Sequence, residues 1–325
     1  MKLLVTGGSG FIGTNFIDMA LTQGIEVLNL DIYPPQKDSH LPYWQQCDIM
    51  DIDSCEHYFR YFQPTHVVHL AGKTDTDSSE LGDYDVNTTG TENILSCIKS
   101  VRTVERVIIT STQFVFAPPG VPEHDEHFNP IGAYGMSKAI SEKATRSAGL
   151  NCVWTITRPT NIWGPWHARY AGEFWLVLKK RLYFHPGGSQ VIRTYGYVKN
   201  VSHQMLQIFE SKPHVVDKKV IYVGDPPIPL IDWANGFSLA ITGRPVRVVP
   251  RWILRAIAIM GTALNAVGIK LPITLSRFRS MTEDYYTPME ATIAMFGAPK
   301  YSLEEGINET VDWLNYYWND NSARI

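Results

Sequence analysis

Cysteine is scarce in this 325-residue chain and does not cluster: Cys47, Cys55, Cys97 and Cys152 form no C-x-x-C pair and no metal-ligand grouping. That argues against a disulfide-stapled scaffold and a cysteine-held metal, and it fits free thiols in a reducing compartment. An excess of either charge is missing too. Lys and Arg number 29 against 32 for Asp and Glu, a net charge of −3, so nothing marks the chain for polyanions. No stripe of interleaved basic and aromatic residues speaks for nucleic acid. The longest apolar stretch, 252–269, contains Arg255 and Asn265 and is short for a membrane span, which argues against stable membrane insertion. It reads as a buried or partly exposed helix, with contact to a membrane or a greasy ligand as the lesser alternative. Internal repeats, low-complexity segments and long linkers are also lacking. The chain opens directly in a strand with no leader ahead of it, so the expected compartment is the cytoplasm. The length suits one compact domain or two closely associated ones.

Against these absences stands the opening MKLLVTGGSGFIG. A short apolar run reads as a buried strand, then glycines at Gly7, Gly10 and Gly13 make a turn, and an amphipathic stretch at 15–21 follows. Glycine serves where backbone must approach a phosphate or take a positive φ. A helix starting here aims free N–H groups and its positive dipole end at a pyrophosphate. The spacing is G-x-x-G-x-x-G, a variant of the general dinucleotide fingerprint. Asp31, eighteen positions past Gly13 at the end of a second strand-like run, is placed to hydrogen-bond the adenosine ribose hydroxyls. A carboxylate there repels a 2′-phosphate, so the expected cofactor is NAD. Lys37 in the next loop leaves NADP as the second choice. Asp48 and Ile49 are candidates for the adenine edge.

Apolar runs at 2–5, 26–30, 66–70, 106–110 and 152–157 alternate with helical patterns such as 86–99 and 133–147. Runs without period-2 alternation suit parallel strands covered on both faces. The expected fold is α/β: a doubly wound parallel Rossmann sheet with a smaller C-terminal substrate-binding lobe. The NAD-binding domain would span 1–165, with 191–223 returning to it. Residues 166–190 and 224–325 would build the lobe over the strand ends.

In Tyr134-Gly135-Met136-Ser137-Lys138, the tyrosine and lysine fall four apart on one helix face. A phenol with a pKa near 10 is a poor base, and a nearby ammonium together with a positive nicotinamide ring would bring it toward the working range. Thr110-Ser111-Thr112 sits upstream at a strand end and can supply a hydroxyl to the reacting oxygen. With these in place, the chain resembles an extended short-chain dehydrogenase/reductase of the NAD-dependent epimerase/dehydratase superfamily. The matching stretches are TGGSGFIG, HLAG, DVNTTGTENIL, TSTQFVFA, YGMSK, RPTNIWGP and SLEEGINETVDWL, which run over nearly the whole length. The resemblance implies Thr112, Tyr134 and Lys138 as catalytic residues. It implies cofactor contacts from Gly7, Gly10, Phe11, Ile12, Gly13, Asp31, Asp48, Ile49, Leu70, Ala71, Gly72, Asn87, Tyr134, Lys138 and Pro159. It also implies a homodimer formed through the 86–99 and 133–147 helices.

Departures from the family pattern narrow the activity. Gln113-Phe114 stands where 4,6-dehydratases carry an Asp-Glu pair, and neither side chain donates a proton, which argues against elimination of water. Arg193 and Arg277, with Arg279 as a near alternative, fall where relatives hold a nucleoside diphosphate, and guanidinium forks suit its oxygens. Lys73, Thr112 and Asn161 complete the candidate substrate contacts. The leading expectation is therefore an epimerase or reductase of a nucleotide sugar. Two cues oppose it: Asn200 replaces an aspartate usual in sugar-nucleotide enzymes, and 252–274 resembles hydroxysteroid and sterol-carboxylate dehydrogenases. The alternative is a dehydrogenase of a steroid- or lipid-like alcohol. A third reading, an NAD(H)-sensing protein without chemistry, is disfavoured by the intact Thr112, Tyr134 and Lys138.

Overall fold

The computed structural model describes residues 1–266, 268 and 273–320. The stretches 252–269, 252–274 and 224–325 singled out above therefore lie partly outside the described residues. In chain order the strands are β1 (Lys2–Thr6), β2 (Glu26–Asp31), β3 (Trp44–Gln46), β4 (His66–His69), β5 (Arg106–Thr110), β6 (Val153–Pro159) and β7 (Asn161–Trp163). Then come β8 (Phe184–Pro186), β9 (Ile192–Arg193), β10 (Tyr195–Tyr197), β11 (Lys219–Val223), β12 (Ile228–Pro229) and β13 (Arg247–Val249). The first helices are α1 (Phe11–Thr22), α2 (Ile52–Phe62), α3 (Asp85–Ser100), α4 (Gly132–Ser147), α5 (Ala168–Gly172), α6 (Phe174–Lys179) and α7 (Val198–Glu210). They are followed by α8 (Pro213–Val216), α9 (Leu230–Thr242), α10 (Arg251–Ala266), α11 (Leu275–Thr282), α12 (Glu290–Phe296) and α13 (Leu303–Asp320).

Seven strands form one parallel sheet in the order β3-β2-β1-β4-β5-β6-β11. The apolar runs explain it. Leu3, Val5, Val68 and Ile108 enter one core, while Leu4, Val67, Val107 and Ile109 enter the other, so alternate residues are buried on opposite faces. The edge strand β3, sequence WQQ with two exposed glutamines, carries no apolar run and escapes a reading by pattern. Strand order reverses between β1 and β4, and sheets of this kind bind ligands in the crevice at the carboxyl ends of the strands there. The second half of the chain packs against the sheet and α1. Its tryptophans Trp163, Trp175, Trp233, Trp313 and Trp318 join the same core cluster as Leu3 and Phe16.

Candidate active site

The β1–α1 turn is built for close approach. Gly7 has φ 74°, and a Cβ there would stand 2.5 Å from the Ala71 nitrogen, across the crevice on the loop after β4. A Cβ at Gly13 would stand 2.5 Å from both the Gly7 carbonyl oxygen and the Gly8 Cα. Gly10 caps α1 with no side chain, which leaves the helix N-terminus open at Phe11, Ile12 and Gly13. The Asn15 amide donates to the Pro165 carbonyl (3.0 Å) and pins the helix to the chain beyond β7.

Asp31 ends β2 beside this turn. It accepts hydrogen bonds from the Ser9 N–H (3.0 Å, Oδ2) and the Tyr33 N–H (3.0 Å, Oδ1), and burial pushes its carboxyl above the ordinary range. Lys37, the cation that could have met a 2′-phosphate, is committed elsewhere. Its Nζ is paired with Asp18 Oδ2, and His40 holds the other Asp18 oxygen at 2.7 Å. Asp48 is exposed, accepting from the Met50 N–H at 2.9 Å, and Ile49 is buried against Gly90. The open helix end, the glycine cradle and the carboxylate together fit a dinucleotide.

Leu70, Ala71 and Gly72 continue β4 along the crevice, with the Leu70 N–H on the Thr6 carbonyl at 2.9 Å. Fully buried Asn87 on α3 clamps the next residue: Oδ1 accepts from the Lys73 N–H (2.8 Å) and Nδ2 donates to its carbonyl (2.9 Å). The same Nδ2 donates to Ser137 Oγ (3.0 Å), between Tyr134 and Lys138 on α4. A Cβ at Gly72 would lie 3.6 Å from Lys138 Nζ. Asn87 thus couples the crevice loop to the helix that carries Tyr134 and Lys138.

Thr112, Tyr134 and Lys138 are all buried. The expected lowering of the Tyr134 phenol rests on the ammonium and a nicotinamide ring together; in the protein alone burial dominates. Burial pushes the Tyr134 phenol up to about 12, with a hydrogen bond to Thr112 pulling the other way. Burial also draws the Lys138 ammonium down to about 8, opposed by the Glu142 carboxylate one turn on. Desolvation penalises the charged form of each group and outweighs their partners. Below the pair lies an ionic network that sequence reading missed. Glu142 and Arg158, both fully buried, meet through paired bonds of 2.9 and 2.8 Å, and Ser111 Oγ donates to Glu142 Oε1 at 2.6 Å. Pro159 follows at the buried end of β6.

Half-buried Asn161 on β7 pairs with Tyr195 on β10. Arg193 is 7% exposed and desolvation lowers its pKa; its Nη2 donates to the Ser280 carbonyl and its guanidinium lies 5.9 Å from the Tyr285 ring centroid. Among the described residues no carboxylate is within ion-pair distance of it, and the carboxylates that act on it, Asp284 and Glu283, do so from farther off. Tyr285 stacks on Phe114 (5.9 Å, 11°), and Phe114 meets Tyr134 edge-on (6.2 Å, 85°), so three aromatic contacts run from the arginine to the phenol. Arg277 is not brought in: it is exposed on α11, as is Arg279. Tyr285 was beyond sequence reasoning, because it comes from a segment 172 residues from Gln113, whose carbonyl it donates to at 3.4 Å. Gln113 itself is buried and accepts from Thr287 Oγ1 at 2.8 Å.

Comparison with known proteins identifies the family and agrees with the fold. The model of the NAD dependent epimerase/dehydratase family matches residues 3–224. The crystal structure of the Thermus thermophilus UDP-glucose 4-epimerase complexed with NAD is 25% identical, covers 97% of this chain and 99% of its own, and superposes with a TM-score of 0.71. Among curated relatives, the "Probable dTDP-glucose 4,6-dehydratase" of Sinorhizobium fredii is 30% identical over 51% of this chain and 55% of its own length. The mouse sterol-4-alpha-carboxylate 3-dehydrogenase, decarboxylating, is 23% identical over 98% of this chain and 92% of its own. Among the described residues no helix is long and apolar enough to cross a membrane. The chain belongs to the NAD-dependent epimerase/dehydratase family of extended short-chain dehydrogenases/reductases, and is an enzyme that works with NAD.

Proposed function

We propose that this enzyme epimerises or reduces a nucleoside-diphosphate sugar. The observation that carries the reading is Arg193: a buried guanidinium without a carboxylate partner among the described residues, joined by aromatic rings to Tyr134. A buried charge needs a counter-charge, and a diphosphate supplies one in the geometry a guanidinium fork favours. Bound NAD supplies a reversible two-electron acceptor at its nicotinamide. Within this chain, Gly7, Gly10 and Gly13 with the α1 N-terminus would hold the pyrophosphate, Asp31 the adenosine ribose, and Asp48 and Ile49 the adenine edge. Leu70, Ala71, Gly72 and Asn87 would border the nicotinamide side with Pro159. Tyr134 then exchanges a proton with the substrate hydroxyl oxygen, Thr112 orients that oxygen, and Lys138 places positive charge beside both. A phenol near 12 in the protein alone needs added positive charge before it serves as a base, so proton transfer is coupled to cofactor occupancy.

The reading takes 1–165 with 191–223 as the NAD-binding unit, 166–190 and 224–325 as the substrate lobe, and a homodimer through α3 and α4. Asn161, Lys73 and Arg193 would contact the sugar nucleotide. The full-length similarity to a sterol dehydrogenase favours a second reading, net oxidation of a lipid-like alcohol. One set of measurements separates them. Under the first, uridine diphosphate raises the melting temperature of the wild type but not of Arg193→Ala; an epimerase then turns over with no added NAD once loaded, whereas a reductase consumes one NADH per turnover. Stoichiometric NADH release with a sterol alcohol, and no shift with any nucleoside diphosphate, would favour the second. Either way Tyr134→Phe loses at least about a hundredfold in kcat.

A further inference from the structure

Beyond the first turn of α9 the charge pattern changes abruptly. Between Asp232 and Glu283 the sequence holds seven basic residues and no acidic one, in a chain whose net charge is −3. Six of the seven, Arg244, Arg247, Arg251, Arg255, Arg277 and Arg279, are exposed, and none forms an ion pair among the described residues. Helix α10 lies in the middle of this segment. Its inner face, Leu254 and Ala258, packs on Phe278 of α11. Its outer face is apolar as well: Trp252, Ala256, Ile259, Met260 and Ala263 recur at helical spacing within about 100° of arc. All five are exposed, Trp252 at 72%, Ile259 at 51% and Met260 at 54%. Of nine tryptophans in the chain, Trp252 alone is exposed.

We propose that the outer face of α10 docks on an anionic lipid bilayer. The helix would lie in the plane of the membrane with Trp252, Ile259 and Met260 among the headgroups and upper acyl chains. Arg255, next to the stripe on the same helix, would meet the negative headgroups, and the unbalanced positive charge of the segment would add its field. An exposed apolar stripe within a segment of net positive charge is the pattern of an interfacial helix. The charge sign selects this occupant over a second copy of the chain, because two such faces brought together would oppose arginine to arginine. The stripe is no spanning segment, so attachment is reversible. Contact through Ser280 of α11, which accepts from Arg193, would set the candidate substrate arginine close behind the membrane face.

The test is co-sedimentation of the full chain with vesicles of phosphatidylcholine alone and of phosphatidylcholine mixed with phosphatidylglycerol. Binding is expected only to the anionic vesicles, with loss in high salt. Brominated lipid should quench wild-type fluorescence and leave Trp252→Phe largely unaffected. The double variant Trp252→Glu with Met260→Glu should lose at least about tenfold in vesicle affinity, and Arg255→Glu a smaller, salt-dependent part. Both should melt as the wild type does and still take up NAD, which shows that they fold. Equal binding by the double variant, or no binding by a folded wild type at low salt, overturns the proposal. So does a dimer in sedimentation that the double variant dissociates while vesicles capture neither protein.

Discussion

Gly13 sits where the first turn of α1 crosses the β1 end, and the atoms around it are backbone. A Cβ there would stand 2.5 Å from the Gly7 oxygen and the Gly8 Cα, neither of which can rotate away. Gly13→Ala should therefore lift α1 off the turn, costing about 1–3 kcal/mol and most of the NAD affinity. Gly24, at φ 71° with nothing within 4 Å of its Cβ position, is the control: Ala there should cost about 1–2 kcal/mol of strain and leave NAD uptake intact. Titration with NAD and thermal melts of the two variants distinguish them. Lys138 gives a second prediction. Its folded pKa, about 8, lies below the ordinary 10.5, so between those values the unfolded chain binds a proton that the native one does not. Stability must then rise with pH across that window, by at most about 1.4 kcal/mol per unit. Denaturant unfolding at pH 7.5 and 10 should show the rise as a difference between wild type and Lys138→Met; identical slopes would refute it.

At the level of the elements, α7 explains an apparent departure from the sugar-nucleotide pattern. Asn200 donates to Asp225 Oδ1 (2.9 Å) and to the Tyr301 carbonyl (2.9 Å), and accepts from the Tyr301 N–H (2.9 Å). It ties the loop after β11 to the approach to α13. Burial pushes the Asp225 carboxyl up to about 7, while the Tyr197 N–H and Asn200 pull it down. An aspartate at 200 would put a second carboxylate against the first, so the asparagine answers to Asp225, not to the substrate. Asn200→Asp should destabilise by about 2–3 kcal/mol, and Asp225→Asn added to it should restore most of the loss. The raised carboxyl fixes the sign with pH: the native state holds a proton that the unfolded chain releases, so this site loses stability as pH rises from 3.8 to 7. In Asn200→Asp the loss should extend to higher pH, visible in melting curves taken from about pH 5 to 9.

Across the whole molecule, one buried ion pair holds several layers together. Glu142 on α4 meets Arg158 on β6, Ser111 after β5 donates to Glu142, and Arg158 reaches the Asp125 carbonyl (2.6 Å) and Tyr222 on β11 (3.1 Å). Removing one charge strands the other. Glu142→Gln should cost about 3–5 kcal/mol, and Arg158→Met in the same chain should recover a large part of it. Urea unfolding of the two singles and the double measures the coupling; additive losses would show that the pair does not act as a unit.

The parallel sheet, the glycine turn, Asp31 and the Tyr134–Lys138 helix were all legible in the residue pattern. Those features are local, because an apolar run, a three-residue glycine spacing and a four-residue helical offset each lie within one or two neighbouring elements. The family was legible as well, through motifs spread over most of the chain. The folded arrangement was needed to show that Lys37 is tied to Asp18, that Arg193 lies buried and Arg277 exposed, and that Asn200 serves Asp225. It was needed too for the Tyr134 phenol, whose burial raises its pKa in the protein alone. Each of these depends on which distant segment arrives as a neighbour and how much water it displaces, and neither quantity is written in the residue pattern of any one segment.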